Sequence, residues 1–305
     1  MAAETYHASY LRIKDDQFMR KIKQGRSLLK NCEVCPRNCH VNRLDGELGE
    51  CRSGYEPIVS SFFLHFGEEA PLVGTHGSGT IFIGGCNLQC VFCQNYETSH
   101  LLEGQPVSIA QLVKMMLTLQ ENSCHNINIV TPSHIVPQLV EALYQAKQQG
   151  LSVPLVYNTG GYDSMKSLQL LDGLVDIYMP DFKFYSDTLA SRYTAVQDYG
   201  TVAREAIREM HRQVGDLIIE QGLAKKGLLV RHLVMPGMVN DSEKIFQFLA
   251  THISPNTYVN VMPQFRPAGE TGYYPEIGRS LHYTEFLEAI RRAQEIGLRR
   301  LDKMS

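Results

Sequence analysis

An α/β fold with a largely parallel sheet is the architecture this sequence predicts, and two observations predict it. From about Gly77 onward, short β-rich runs alternate with helical patterns. Most of those runs are near-continuously apolar, which is what a strand covered on both faces requires. Repeated β–α units joined by right-handed crossovers build a parallel sheet. Six such units fit a partial (β/α)6 barrel or an open doubly wound sheet, and pattern alone does not choose between them.

The strand candidates are residues 80–84, 126–131, 154–158, 175–179, 228–235 and 258–262. The helices between them carry local signals. Ser108 and Gln111 have capping-box spacing, and Ile109, Leu112, Val113 and Met116 recur on one face behind them. The next helix carries Leu139, Val140 and Leu143 and stops at Gly150. Later stripes are Ile207, Met210 and Val214, then Ile245, Phe246 and Leu249, then Phe286, Ile290 and Ala293.

The first seventy or so residues read differently. Residues 6–30 form a helical arm, and 32–51 a loop-rich segment with Pro36, Gly46 and Gly49. Residues 58–66 and the turn around Gly74 lead into the first sheet strand. The division predicted is an N-terminal extension over 1–75, comprising the arm and a cysteine-rich metal-binding segment, and the sheet-bearing unit over 76–305.

The 305 residues are 44% hydrophobic and 20% charged, an ordinary globular composition. A formal net charge of −3 calls for neither a nucleic-acid nor a membrane partner. The first 29 residues hold no apolar signal region, and no stretch approaches the roughly 18–20 apolar residues that span a bilayer. A cytoplasmic protein is the expectation.

Seven of the eight cysteines fall into two tight groups, Cys32, Cys35, Cys39 and Cys51, then Cys86, Cys90 and Cys93, with Cys124 alone. A chain this long needs no disulfide staples, so the grouping favours metal. Residues 84–95 read GGCNLQCVFCQN, with cysteines at i, i+4 and i+7 directly after a strand. Thiolates are the usual ligands of iron–sulfur clusters, and three of them leave one iron of a [4Fe–4S] cluster open. A zinc site completed by His100 and three idle buried cysteines are the alternatives. The strand-end position, where (β/α) enzymes keep their chemistry, favours the cluster.

The CxxxCxxC spacing, with Phe92 before the third cysteine, resembles the signature of the radical S-adenosylmethionine (SAM) superfamily. The resemblance implies a partial barrel in which Cys86, Cys90 and Cys93 bind three irons and SAM chelates the fourth. It also implies reductive cleavage of SAM to methionine and a 5′-deoxyadenosyl radical, which takes a hydrogen atom from the substrate. Between residue 29 and about 266 the chain further resembles the pyruvate formate-lyase activating enzyme-like branch, in members with an N-terminal cysteine segment. The segments concerned include CEVCPRNCHVNR at 32–43, HFGEEAPLVG at 65–74, VYNTGGY at 156–162, RHLVMPG at 231–237 and VNVMPQFRP at 259–267.

Residues 179–183, MPDFK, match an M-x-D-x-K element of that branch, which implies that Asp181 and Lys183 lie at the SAM end of the site. Asn158 and Thr159 end the preceding strand and are further candidates for SAM contact; a turn role suits Asn158 equally. Arg231, a charge within an apolar strand, needs a partner or a ligand, and the resemblance turns it toward SAM or substrate. His134, Gln264 and Arg266 are weaker strand-end candidates. One departure stands out: where the branch carries a GGEP-like segment, this chain reads VTPSH at 130–134, without an acid. Contact with the SAM amino group is then expected from backbone carbonyls, Thr131 or Ser133.

The four N-terminal cysteines suit a closed [4Fe–4S] cluster or a structural zinc equally, with His40 as a substitute ligand, and disulfides or empty thiols are the alternative to a metal. A cluster there would relay electrons or bind substrate; zinc would staple the arm. The function expected is a radical SAM enzyme acting on an unidentified substrate, with SAM, a reductant such as flavodoxin or ferredoxin, and a protein substrate as partners. The competing class is a non-catalytic iron–sulfur electron carrier or a zinc-stabilised interaction module.

Overall fold

The computed structural model describes residues 6–302. The outermost residues of both predicted segments, 1–5 and 303–305, lie outside the described residues. Ten strands are seen among them: β1 (Ile58–His65), β2 (Ser78–Ile83), β3 (Gln105–Pro106), β4 (Ile127–Val130), β5 (Leu155–Thr159), β6 (Ile177–Pro180), β7 (Ile218–Glu220), β8 (Leu223–Leu233), β9 (Tyr258–Met262) and β10 (Arg300–Leu301). The six predicted strands correspond to β2, β4, β5, β6, β8 and β9. The sheet runs β10-β9-β8-β6-β5-β4-β2-β1-β3, with β7 paired to β8 as a hairpin. Neighbours from β2 to β10 are parallel, while β1 is antiparallel to β2 and to β3.

This order resolves the alternative left by the sequence pattern. Each strand of the parallel run lies beside the one before it, with no reversal at a switch point, so the sheet is singly wound. The sheet is also concave. Glu69, between β1 and β2, reaches both Arg231 on β8 and Asn260 on β9. The fold is a partial α/β barrel with open edges at β3 and β10.

Side-chain alternation along the strands separates two cores. Val156, Ile177, Met179, Leu229 and Tyr258 point inward and pack with Leu72 of the short helix Ala70–Val73. Their neighbours Leu155, Tyr157, Tyr178, Leu228, Val230 and Val259 point outward into the main core beneath the helices. Toward the C-terminal strand ends the inward positions become polar: Asn158, Asp181, Arg231 and Asn260 line a cavity there. The barrel is thus packed below and open above.

The local helix signals hold. Ser108 Oγ accepts from the Gln111 N–H at 3.3 Å, and Gln111 Oε1 accepts from the Ser108 N–H at 2.7 Å, opening the helix Ile109–Glu121. Leu112, Val113 and Met116 are buried behind it. The predicted arm is the helix Asp15–Lys30 preceded by a short 3-10 turn, Ser9–Arg12. It lies along the outside of the helix Val136–Gln148, and the Gly25 backbone comes so close that a Cβ there would stand 3.0 Å from Pro137. Before the arm, the Ser9 N–H reaches Asp176 at the N-terminal end of β6. After it, the Val34 carbonyl accepts from Ser164 and Ser167, beyond the C-terminal end of β5. The arm therefore carries the cysteine segment from the bottom of the barrel to the rim. Among the described residues no helix is long and apolar enough to cross a membrane.

Candidate active site

The loop after β2 carries Cys86, Cys90 and Cys93 onto one wall of a cavity of about 670 Å3 at the strand C-termini. Two left-handed residues, Gly85 (φ 81°) and Gln89 (φ 50°), let the loop turn tightly. Four bonds pin it from outside: Val91 N–H to the Tyr193 carbonyl, Glu270 N–H to the Val91 carbonyl, Ala195 N–H to the Leu88 carbonyl, and Asn87 Nδ2 to the Tyr162 carbonyl. Phe92 is buried against Phe184 and Phe265, which explains the aromatic before the third cysteine.

The donor set fits a cluster. The Leu88 N–H points at Cys86 Sγ from 3.4 Å and the Ser99 hydroxyl at Cys93 Sγ from 3.1 Å. Such donors stabilise thiolate charge and tune a bound cluster. Burial pushes the Cys86 and Cys90 thiols above their ordinary range, and the nearby Lys183 ammonium works against that shift. Among the described residues no three His, Cys, Asp or Glu side chains are already close enough together to hold a single metal ion. The three thiols share one cavity wall, and His100 Nδ1 contacts Ser99 Oγ at 2.8 Å.

All five candidate cofactor-binding residues line this cavity: Asn158, Thr159, Asp181, Lys183 and Arg231. Lys183 Nζ donates to Asp181 Oδ2 at 2.5 Å. Burial disfavours the ammonium, but the Asp181 carboxylate outweighs it and holds the Lys183 pKa above its ordinary value. Tyr199 supports the pair from behind, its hydroxyl bonding the Asp181 and Gly160 carbonyls and accepting from the Lys183 N–H. The Thr159 hydroxyl is turned elsewhere. It donates to the buried Asp163 at 2.6 Å and meets Ser133 Oγ at 2.7 Å, so both hydroxyls belong to a structural network. Thr131 lines the cavity with φ 62°.

Arg231 has partners that sequence reasoning missed. Its guanidinium donates to both oxygens of Glu69, at 2.7 and 2.6 Å, and to Glu68. Glu69 also accepts from Asn260 Nδ2 at 2.7 Å, and Glu68 from Asn128 Nδ2 at 2.9 Å. Burial favours the neutral Glu69 carboxyl, yet Arg231 and Asn260 hold it below the usual carboxylate range. The signal was a charge in an apolar strand, which demands a partner without saying where. The partners lie more than 160 residues earlier.

Two histidines beside these strand ends, His134 and His232, do not line the cavity, whereas His65 does. His134 Nε2 bonds the Gly84 carbonyl, and its own carbonyl accepts from the buried Arg43. His134 is therefore structural rather than a cavity residue. His232 bonds the Phe182 carbonyl at 2.7 Å and Ser242 Oγ at 2.8 Å in the outer core. Burial lowers its pKa from 6.5 to about 4. A group depressed in this way stabilises the fold fully above its unfolded value, and that contribution is lost as pH falls through the folded one. Urea midpoints are expected to drop between pH 6.5 and 4, and the drop should be shallower in His232→Gln. Of the remaining candidates, Gln264 lines the cavity and Arg266 is not among its lining residues.

The N-terminal cysteines share one loop-rich segment beside the Cys86 loop, without three of them standing close enough to hold a single ion. Cys32, Cys35 and Cys51 are buried and Cys39 is half-buried. Cys32 and Cys51 each act electrostatically on Cys35 and on Cys39. Burial, foremost, pushes the Cys35 thiol up to about 12. This segment abuts the Cys86 loop: Arg37 Nε donates to the Asn87 carbonyl, and Gln89 Nε2 to the Glu50 carbonyl. A Cβ on Gly85 would stand 2.6 Å from the Cys51 carbonyl oxygen. Cys124 is buried in the main core, away from both groups.

Fold and site together define a protein that holds a cysteine-lined cavity at the rim of a partial α/β barrel. The family model Fer4_12, a 4Fe-4S single cluster domain, matches residues 74–185, the stretch that contains the Cys86 loop. The uncharacterized protein MJ0674 of Methanocaldococcus jannaschii is 33% identical over 289 residues, 91% of this chain and 78% of that one. This chain belongs to the family of that archaeal protein. Among solved structures, methylornithine synthase (PylB) is similar with a TM-score of 0.49 at 13% identity, covering 95% of this chain and 71% of that one. SuiB of Streptococcus suis, solved with its precursor peptide SuiA, is similar at TM-score 0.46 and 11% identity over 69% of this chain and 42% of SuiB. This chain thus spans less than half the length of SuiB.

Proposed function

We propose that the protein is a radical SAM enzyme of the activating-enzyme-like branch, working in the cytoplasm with a reductant of the flavodoxin or ferredoxin kind. One observation carries the reading: three thiols on a single strand-end loop open onto a cavity that also holds Asn158, Asp181, Lys183 and Arg231. When bound, a [4Fe–4S] cluster and SAM would supply a 5′-deoxyadenosyl radical that abstracts hydrogen from the substrate, a protein in the activating-enzyme reading.

The chain's own residues would do the rest. Cys86, Cys90 and Cys93 would hold three irons and leave one open. The Lys183–Asp181 pair fixes a carboxylate at the rim, where it can accept from a ribose or amino group. Asn158 adds an amide beside it. Thr159 and Ser133 keep the β4 and β5 strand ends in register rather than touch the ligand. The apolar floor of Val156, Ile177 and Leu229 excludes water from below. Asp181→Asn keeps the shape and removes the charge, so SAM affinity is expected to weaken by about tenfold or more in equilibrium dialysis.

At the four N-terminal cysteines we propose a second centre, iron–sulfur or zinc. Iron retained in a Cys86/Cys90/Cys93 triple-alanine variant would mark a second cluster, and zinc a structural site. The whole reading is tested by anaerobic reconstitution with SAM and dithionite. 5′-Deoxyadenosine should accumulate, whereas an oxygen-stable, colourless protein holding only zinc would contradict it and favour the interaction module.

A further inference from the structure

Outside the cysteine loop, the titratable side chains on the cavity wall are committed to one another, with one exception. Glu68 and Glu69 are held by Arg231, Asp181 by Lys183, and Asp302 accepts from the Tyr258 hydroxyl at 2.7 Å. His65 also lines the cavity, and neither of its ring nitrogens has a hydrogen-bond partner among the described residues. Packing places its ring instead. His65 stands edge-on to Phe63 at 5.5 Å and to Phe82 at 6.4 Å, and Phe63 and Phe82 stack at 5.6 Å. Both are arrangements that aromatic pairs favour. An imidazole held in this way keeps its orientation and leaves both nitrogens for a ligand.

The space beside the ring is kept clear. Gly67 lines the same cavity, and a Cβ there would stand 3.1 Å from both Cε1 and Nε2 of His65. A side chain at that position would crowd the imidazole. Phe82 borders the cavity as well, so this wall offers a flat apolar surface beside one hydrogen-bonding group. The charges elsewhere on the wall bear on what it can hold. The carboxylates of Glu68, Glu69, Asp181 and Asp302 disfavour an anion, and a cation would compete with Arg231 or Lys183 for a carboxylate already paired. A neutral guest leaves those pairs intact.

We propose that His65, Gly67 and Phe82 form the subsite for an uncharged aromatic group of the substrate that carries a hydroxyl, a phenol. The ring lies against Phe82, and the hydroxyl donates to the free acceptor nitrogen of a neutral His65. Phe63 supports the Phe82 and His65 rings. Phe82 and Cys86 line one cavity and lie on the same strand and the loop that leaves it, which puts the phenol beside the cysteine loop. The inference rests on the radical SAM reading and deepens it by giving the unidentified substrate a chemical class and a place in the site.

The test uses anaerobically reconstituted protein saturated with SAM in the absence of reductant, so that the probe cannot merely occupy the SAM site. Three probes of similar size are titrated in turn by calorimetry: 4-methylphenol, 4-methylanisole, which has no hydroxyl to donate, and 4-methylcyclohexanol, which has no flat ring. 4-Methylphenol should bind at least about tenfold tighter than either of the others. His65→Phe, which removes the acceptor, and Gly67→Ala, which crowds it, should each cut the preference over the anisole at least about fivefold. Equal binding of the three probes by the unmodified protein overturns the proposal, even if neither variant folds. So does a preference that survives both substitutions, or phenol binding that SAM abolishes. 5′-Deoxyadenosine formation after dithionite is measured on the same preparation. Its presence without phenol preference sinks the substrate inference alone, and its absence with phenol preference sinks the radical SAM reading alone.

Discussion

Cys90→Ala is expected to lose about four irons per chain from the Cys86 loop and to abolish SAM cleavage, a loss of at least about a thousandfold. Cys90 is the middle ligand of the loop and the most enclosed: its thiol is buried, faces Lys183 and sits between Cys86 and Cys93. A cluster held by two thiolates of one short loop has no third anchor on the same wall to replace it. Folding should survive. The loop is pinned by bonds from Val91, Leu88 and Asn87, none of which uses the Cys90 side chain. Iron analysis beside a far-ultraviolet spectrum separates the two effects. Unchanged iron in a folded Cys90→Ala protein would assign the cluster elsewhere.

Arg231→Met is the second large effect, and it acts on stability. Met fills similar volume but leaves Glu68 and Glu69 buried without their cation. Breaking one side of a buried ion pair typically costs about 3–5 kcal/mol. For a domain of this size the thermal midpoint is expected to fall by roughly 10 °C in calorimetry. Adding Glu69→Gln should recover part of the loss, because the two positions are directly coupled. A shift of less than about 2 °C would mean that the carboxylates find solvent or other donors.

What was legible in the sequence follows the range of each interaction. The Ser108 capping box, the helical stripes and the CxxxCxxC loop are set within a few residues, and each stands where the pattern placed it. Strand neighbours are another matter. Apolar runs announce that a strand is buried without saying beside what, so winding direction had to come from the pairings themselves. The β8 strand begins five residues earlier than its apolar run because LAKKG pairs with β7 as a hairpin at the barrel's lower edge. Glu68 and Glu69 read as an ordinary polar turn, since their meaning depends on Arg231, Asn128 and Asn260 on three distant strands. Thr159 lines the cavity, but its hydroxyl is claimed by Asp163 just four residues on, a bond that its reading as a SAM contact did not foresee.

The central claim is that Cys86, Cys90 and Cys93 hold a [4Fe–4S] cluster with one iron open to SAM. Electron paramagnetic resonance of the dithionite-reduced, reconstituted protein tests it most directly, before and after SAM is added, using the Cys32/Cys35/Cys39/Cys51 alanine variant so that only the Cys86 loop contributes. A reduced-cluster signal whose g-values move when SAM binds is the predicted result. A reduced-cluster signal indifferent to saturating SAM, or no iron signal in a folded protein, would contradict the account.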